Sequence, residues 1–108
     1  MGVSLYDNRT SALGMAMVDD RVELHALNRA GEVVLHGWFS PESGISILCH
    51  QPRCMIAMDA QSVPTTFAQT LESMGHSTIL VEAGDETDNT SSRSAKDLAR
   101  IAMSAANY

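Results

Sequence analysis

LGMAMVDDRVELHALNRAGEVVLHGWF, residues 13–39, is the stretch of sequence that decides the fold. It contains three apolar runs, at 13–18, 22–27 and 33–39. Asp19-Asp20 and Asn28-Arg29-Ala30-Gly31 separate the runs, and both breaks have the composition of turns. Short apolar runs joined by short polar turns predict three strands that pair as an antiparallel meander.

Helices and strands alternate in the rest of the chain. Ser40-Pro41 supplies an N-cap and a proline at the first helical position. Residues 54–58 form a continuous apolar run, typical of a strand buried on both faces. A second helix begins at Pro64 and ends at Gly75, a further strand covers 77–81, and a last helix begins at Ala95.

This order of elements predicts the fold class. Strands separated by helices pair in parallel through right-handed crossovers. We therefore predict an α/β domain with a mixed five-stranded sheet, three antiparallel strands followed by parallel ones, and helices packed on it. The single domain spans 11–108 and follows an N-terminal extension at 1–10. Residues 82–92 are acidic and lack an apolar period, which predicts a loop.

Composition restricts the partners. The 108 residues are 44% hydrophobic and carry a formal net charge of −6, as expected of one compact soluble domain. Affinity for phosphates depends on clustered Lys and Arg, and 7 of these against 13 acids argue against nucleic acid as the main ligand. No apolar run approaches the ~18 residues of a membrane span, and we expect neither a membrane span nor a signal peptide. A cytoplasmic location follows as the simplest expectation.

Four short blocks carry a resemblance to a known family. They are Gly14-Met15-Ala16-Met17, Met58-Asp59-Ala60-Gln61, Ser73-Met74-Gly75-His76 and Arg93-Ser94-Ala95-Lys96-Asp97-Leu98. In order and spacing they resemble the N-terminal RuvC-like (DEDD) domain of the insertion-sequence transposases related to the Piv invertase. That family typically has Gly-Ile-Asp-Val-Ala-Lys, Met-Glu-Ala-Cys-Gly, Ala-Leu-Gly-His and Asn-Asp-x-x-Asp-Ala at these places. The resemblance implies an RNase H-like fold.

The same resemblance implies that the active site is incomplete. The family's four acids fall on Ala16, Asp59, Ser94 and Asp97, so two of the four carboxylates are missing. A RuvC-like site holds two divalent ions, and a methyl group cannot replace the bridging carboxylate of the first strand. We expect no catalytic residue and no cofactor, with Asp59 and Asp97 as the weak candidates for Mg²⁺. Asp97 is more simply a helix-capping acid three residues after Ser94, and Asp59 is more simply a carboxylate that is either solvated or bonded to a loop.

A zinc site is the alternative that the cysteines suggest. Cys49 and Cys54 flank His50, and a fourth ligand would have to be recruited from His25, His36 or His76. Buried thiols in a cytosolic protein are the simpler expectation.

Protein binding is the function that we expect to survive the loss of catalysis. Strands 33–38 and 78–81 are candidate sheet edges, and exposed apolar edges favour pairing with another chain. The predicted contact residues are Trp38, Tyr6, Val33, Leu35, Ile79 and Val81. For Phe39 we expect ordinary core packing. The chain is therefore predicted to be a transposase-derived pseudoenzyme that acts as a homodimer, as an antagonist of a regulatory partner, or as both.

Two alternatives stay open. The first is a divergent Mg-dependent nuclease or Holliday-junction-type hydrolase that uses Asp59, Asp97 and one acid of the loop, Glu82, Asp85 or Asp88. The second is a domain that kept the family's nucleic-acid surface after losing cleavage, which predicts binding with a steep salt dependence.

Overall fold

The structure is a computed structural model that describes residues 10–81 and 95–106. Its elements are β1 (Ala12–Val18), β2 (Arg21–Leu27), β3 (Val33–Phe39), α1 (Pro41–Cys49), β4 (Met55–Asp59), α2 (Thr65–Ser73), β5 (Ser77–Val81) and α3 (Ala95–Ala106). The strands form one sheet in the order β3-β2-β1-β4-β5. The predicted mixed sheet is confirmed, because β1, β2 and β3 pair antiparallel whereas β4 and β5 continue in parallel.

The sheet has two edges and one irregularity. β3 and β5 are the edge strands, as the sequence predicted. The β2–β3 register shifts between Ala26 and Leu27, so one half of β3 pairs regularly with β2 and the other half is displaced. Asp19 adopts a left-handed φ of 56° in the turn between β1 and β2, a conformation that aspartate tolerates better than most residues.

Helices α1 and α2 cover one face of the sheet. Ser40 caps α1 through its hydroxyl, which accepts a hydrogen bond from the Ser43 amide, and Pro41 follows at the first helical position. Gly75 follows α2 with a φ of 100°, as its predicted role at the end of that helix requires. The core on this face contains Leu13, Met15, Val22, Leu24, Ala26, Leu48, Cys54, Ile56, Met58, Val63, Ala68 and Leu71.

Helix α3 covers the other face and packs mainly on β1. The backbone approach is close: a methyl group on Gly14 would overlap the Ala95 carbonyl oxygen and the Ala99 amide nitrogen. Small side chains on both surfaces permit this approach. The buried cluster between them consists of Ala12, Ala16, Ala57, Leu98 and Ala102.

One sequence expectation about the core is wrong. Cys49 was expected to be a buried thiol, but it is exposed, whereas Cys54 is buried. The buried stripe of α1 runs through Gly44 and Leu48, four residues apart, and Cys49 is one residue out of phase with that stripe.

Thr10 is buried although it falls at the end of the predicted N-terminal extension, so the packed structure already includes it. No helix among the described residues has both the length and the apolar character needed to cross a membrane.

Candidate functional site

The carboxyl ends of β1 and β4 bring together two of the four positions that the resemblance singled out. The parallel ladder of these strands runs up to the pair Met15 and Met58, and Ala16 and Asp59 follow next on each strand. We call Ala16 and Asp59 the strand-end pair. Because side chains alternate along a strand, both members lie on the face that α3 covers. Carboxyl ends of parallel strands are where α/β sheets commonly place ligands.

The Asp59 carboxylate is bonded to its own loop. Only 1% of the residue is exposed. Oδ1 accepts a hydrogen bond from the Gln61 amide at 3.3 Å, and Oδ2 accepts one from the Ser62 hydroxyl at 2.9 Å. The same Ser62 hydroxyl oxygen accepts a hydrogen bond from the Met17 amide at 3.2 Å. Asp59 thus joins the end of β4 to the end of β1 through one serine. Of the two roles expected for this carboxylate, it has the loop-bonding one and is not solvated.

The Ala16 methyl group lies in an apolar environment. Ala16 is 4% exposed and belongs to the same buried cluster as Ala57 and Leu98. A carboxylate at this position would be buried beside the apolar side chains of this cluster and between two other acids, Asp59 on β4 and Glu23 on β2. Burial of a charge without an opposite charge costs several kcal/mol.

The first turn of α3 lies over this end of the sheet. Asp97 is in that turn and is exposed, and Ser94 lies outside the described residues. The Ala95 amide, at the start of the helix, donates a hydrogen bond to Glu23 Oε1 at 3.4 Å. Glu23 is the β2 neighbour of Ala16 in the antiparallel ladder. An acid from the sheet therefore helps to cap α3, which the sequence did not predict.

Metal ligands do not converge in the described part of the chain. Among residues 10–81 and 95–106, no group of three or more His, Cys, Asp or Glu side chains is arranged to hold an ion. The loop acids named for the nuclease alternative, Glu82, Asp85 and Asp88, lie outside the described residues.

The two cysteines have different environments. Cys54 Sγ lies 3.7 Å from His76 Nδ1, and burial raises the pKa of this thiol to about 11. The His76 ring is bonded on both sides: Nδ1 accepts from the Cys54 amide at 3.2 Å, and Nε2 donates to the Leu48 carbonyl at 2.9 Å. Both ring nitrogens therefore have partners within the protein, which is typical of a histidine in a structural role. Cys49 is exposed at the end of α1.

The predicted contact residues divide into exposed and half-buried ones. On β3, Val33 is 55% and Trp38 45% exposed, whereas Leu35 is half-buried against the core beneath α1 and α2. On β5, Ile79 and Val81 are half-buried against the core beneath α3. Tyr6 lies outside the described residues.

Two more residues of the edge strands, Phe39 and Leu80, can be compared with the sequence analysis. Phe39 packs against the core, as expected. Leu80, which sequence reasoning missed, is the exposed large apolar residue of β5.

A group of polar side chains lies beside α3 on β2 and β3. His36 Nε2 is 3.2 Å from Glu23 Oε2, and the His25 and His36 rings meet edge to face with centroids 4.9 Å apart. His25 is 7% exposed, and its Nδ1 is buried without a hydrogen-bond partner in the part of the chain that the structure describes. Burial and then the neighbouring His36 lower the pKa of His25, with further lowering from Lys96 and Arg100 and an opposing contribution from Glu23.

An open groove of about 290 Å³ adjoins His25. We call it the basic groove, and it is lined by His25, Leu27, Gly31, Val33, Lys96, Arg100 and Met103. The sequence could have indicated the β2 side of this groove, because side chains alternate along a strand and residues 23, 25 and 27 of β2 therefore lie on one face of the sheet. The contact between His25 and His36 could not be predicted without the register in which β2 and β3 pair.

No protein family, curated protein or solved structure matches this chain.

Proposed function

We propose that this chain is a transposase-derived RuvC-like domain of the cytoplasm that has lost its catalytic metal site and acts by binding proteins, first of all a second copy of itself. The observation that carries the loss of catalysis is the strand-end pair. Ala16 supplies a buried methyl group, and both Asp59 oxygens already accept hydrogen bonds from the following loop. The mixed sheet, antiparallel and then parallel, agrees with the RNase H-like fold that the resemblance implies.

The open edge of the sheet supports protein binding. β3 has seven residues, includes no Lys, Asp, Glu or Pro, and exposes Val33 and Trp38. Natural edge strands are usually shortened, charged or interrupted by proline, because an unprotected edge pairs readily with another strand. β5 is the shorter edge, with five residues. We therefore assign the contact to β3.

The proposed contact is an antiparallel pair of β3 strands around a two-fold axis. The register shift lies at the Val33 end, so 35–39 is the regular half of the strand. An axis through Gly37 would place Leu35 opposite Phe39 of the second copy and His36 opposite Trp38 of the second copy. The two sheets would join into one, and each Trp38 would lose its exposed surface.

The test compares two lysine substitutions at apolar residues of similar exposure, 45% for Trp38 and 51% for Val18. Trp38→Lys changes the β3 edge, and Val18→Lys, at the end of the central strand β1, is the matched control. We expect the wild type and the Val18 variant to sediment as dimers. Trp38→Lys should raise the dimer dissociation constant about thirtyfold or more, since removal of a central aromatic costs about 2 kcal/mol or more. Leu80→Lys, on β5, should leave the dimer intact.

A monomeric wild type at millimolar concentration would contradict the homodimer. The antagonist role would then require a stoichiometric protein partner that the Val18 variant retains and the Trp38 variant loses. Without such a partner, the protein-binding proposal fails.

The loss of catalysis has a separate test. Calorimetric titration with Mn²⁺ should show no site that depends on Asp59, so the wild type and Asp59→Asn should behave alike. An ion bound by the wild type and lost in the variant would favour the nuclease alternative.

A further inference from the structure

The basic groove has a polar end and an apolar end. α3 begins beside Glu23 and runs in the same direction as β2, so Lys96 lies at the His25 end and Met103 at the Leu27 end. Lys96, Arg100 and Met103 follow at i, i+4 and i+7 on one stripe of the helix. At a 1.5 Å rise per residue this stripe is about 10 Å long. Leu27, Val33 and Met103 supply apolar surface.

The polar end concentrates positive charge in an acidic protein. The whole chain carries 7 Lys and Arg against 13 acids, yet two cations and His25 line this one groove. Neither Lys96 nor Arg100 forms an ion pair within the described residues, where the one salt bridge joins His36 to Glu23. The His25 Nδ1 atom is buried and has no hydrogen-bond partner among residues 10–81 and 95–106. A buried polar atom without a partner is uncommon, and here it belongs to a histidine that also lines the groove.

We propose that the basic groove binds a small organic acid, with its carboxylate at His25, Lys96 and Arg100 and its apolar body along Leu27, Val33 and Met103. The volume suits such a ligand, since 290 Å³ corresponds to about ten water-sized groups. This volume is just below the usual range of ligand pockets, roughly 300–1,000 Å³, as suits a ligand of about ten heavy atoms. The proposal goes beyond protein binding at the β3 edge and stands independently of it.

A carboxylate in the groove would be coupled to the protonation of His25. The groups that face this ring are His36, Glu23, Lys96 and Arg100. Without a ligand the neutral ring is favoured, because burial and the two cations lower the His25 pKa. A bound carboxylate favours the protonated ring, so affinity should rise as the pH falls from about 7.5 to 5.5, a range in which carboxylic acids stay mostly ionised.

The experiment is an NMR titration of the full-length, ¹⁵N-labelled chain with octanoate. Octanol tests the apolar body without the charge, and acetate tests the charge without the body. We expect octanoate to shift the amides of His25, Leu27, Val33 and Met103 and to bind at least about tenfold more tightly than either control. Equal binding of octanol and octanoate would overturn the proposal.

Matched variants locate the carboxylate. Arg100→Gln should weaken octanoate binding about tenfold or more through the loss of one charge-assisted hydrogen bond. Arg53→Gln makes the same charge change next to Gly75, away from the groove, and should leave the affinity unchanged. His25→Gln should abolish the pH dependence, whereas His36→Gln should retain it. Equal effects of the two arginine substitutions would refute the assignment.

A further ligand in the same titration distinguishes a free organic acid from an acidic side chain of a protein as the source of the carboxylate. N-acetyl-glutamate amide presents the carboxylate as a protein does. If it binds and octanoate does not, the small-molecule proposal is overturned.

Discussion

Replacing Gly14 with alanine tests how closely α3 lies on the sheet. The added methyl group would overlap the Ala95 carbonyl oxygen and the Ala99 nitrogen and lie 2.9 Å from Leu98 Cβ. Two of these three atoms belong to the helix backbone, so a change of side-chain rotamer cannot relieve the overlap. The helix must withdraw from β1 by about 1 Å, and a gap of that size forfeits roughly a quarter to a half of the dispersion energy of each contact.

The expected loss of stability follows from this displacement. Overpacking of a well-packed core costs about 1–3 kcal/mol, and a backbone obstacle belongs at the upper end, so we expect about 3 kcal/mol. Urea denaturation followed by circular dichroism measures it. With a slope of about 1–3 kcal/mol per molar urea, the midpoint should fall by roughly 1–3 M. Hydrogen exchange should accelerate most at the amides of Leu98, Ala99 and Ala102.

Gly44→Ala is the matched control in the same chain. Gly44 is within α1, where the new methyl group would lie 3.8 Å from Val22 Cγ1, an ordinary van der Waals contact. Because glycine is a poor helix former, this substitution should stabilise the protein by about 0.5–1 kcal/mol. The close packing of α3 would be refuted if Gly14→Ala were as stable as Gly44→Ala.

Three other predictions concern titration, the loop bond and thiol reactivity. The free energy of unfolding should fall as the pH drops below about 6.5. The reason is that His25 takes up a proton at its ordinary pKa of 6.5 in the unfolded chain, whereas burial lowers that pKa in the folded chain. Urea titrations at several pH values should show a weaker pH dependence of stability for His25→Gln than for the wild type. Ser62→Ala removes a hydrogen bond to the buried Asp59 carboxylate and should cost about 1–3 kcal/mol of stability, and an unchanged urea midpoint would contradict that role. A thiol reagent should modify Cys49 rapidly and Cys54 only after unfolding, so two fast thiols in the native protein would argue against the packing of Cys54.

Local patterns made most of the sheet predictable. The runs at 13–18, 22–27 and 33–39 lie next to each other in sequence, and each turn between them has few residues, so the meander follows from neighbouring segments alone. The cap at Ser40 and the helix end at Gly75 are equally local, since each depends on one residue in the required backbone conformation. These features agree between sequence and structure for that reason.

The position of α3 depends on contacts that are distant in the chain. Its amphipathic pattern predicts a helix with one buried face, but nothing in that pattern identifies β1 as the neighbour. The close approach depends on Gly14, which lies in a strand with no positive φ angle to mark it. The Glu23 contact with Ala95 joins residues 72 positions apart. The basic groove depends both on this placement and on the β2–β3 register, and no local pattern of the sequence specifies either of them.

The strand-end pair and the close packing of α3 have a common physical basis. A two-metal site needs carboxylates, coordinated ions and room for water between a sheet and the helix above it. Here the facing residues are all glycine or alanine: Gly14 and Ala16 on the sheet, and Ala95, Ala99 and Ala102 on the helix. Absence of a carboxylate at Ala16 lets the helix lie against β1, and the resulting dry contact would in turn penalise a charge at that position. The feature on which the proposed loss of catalysis rests is therefore also one that stabilises the fold.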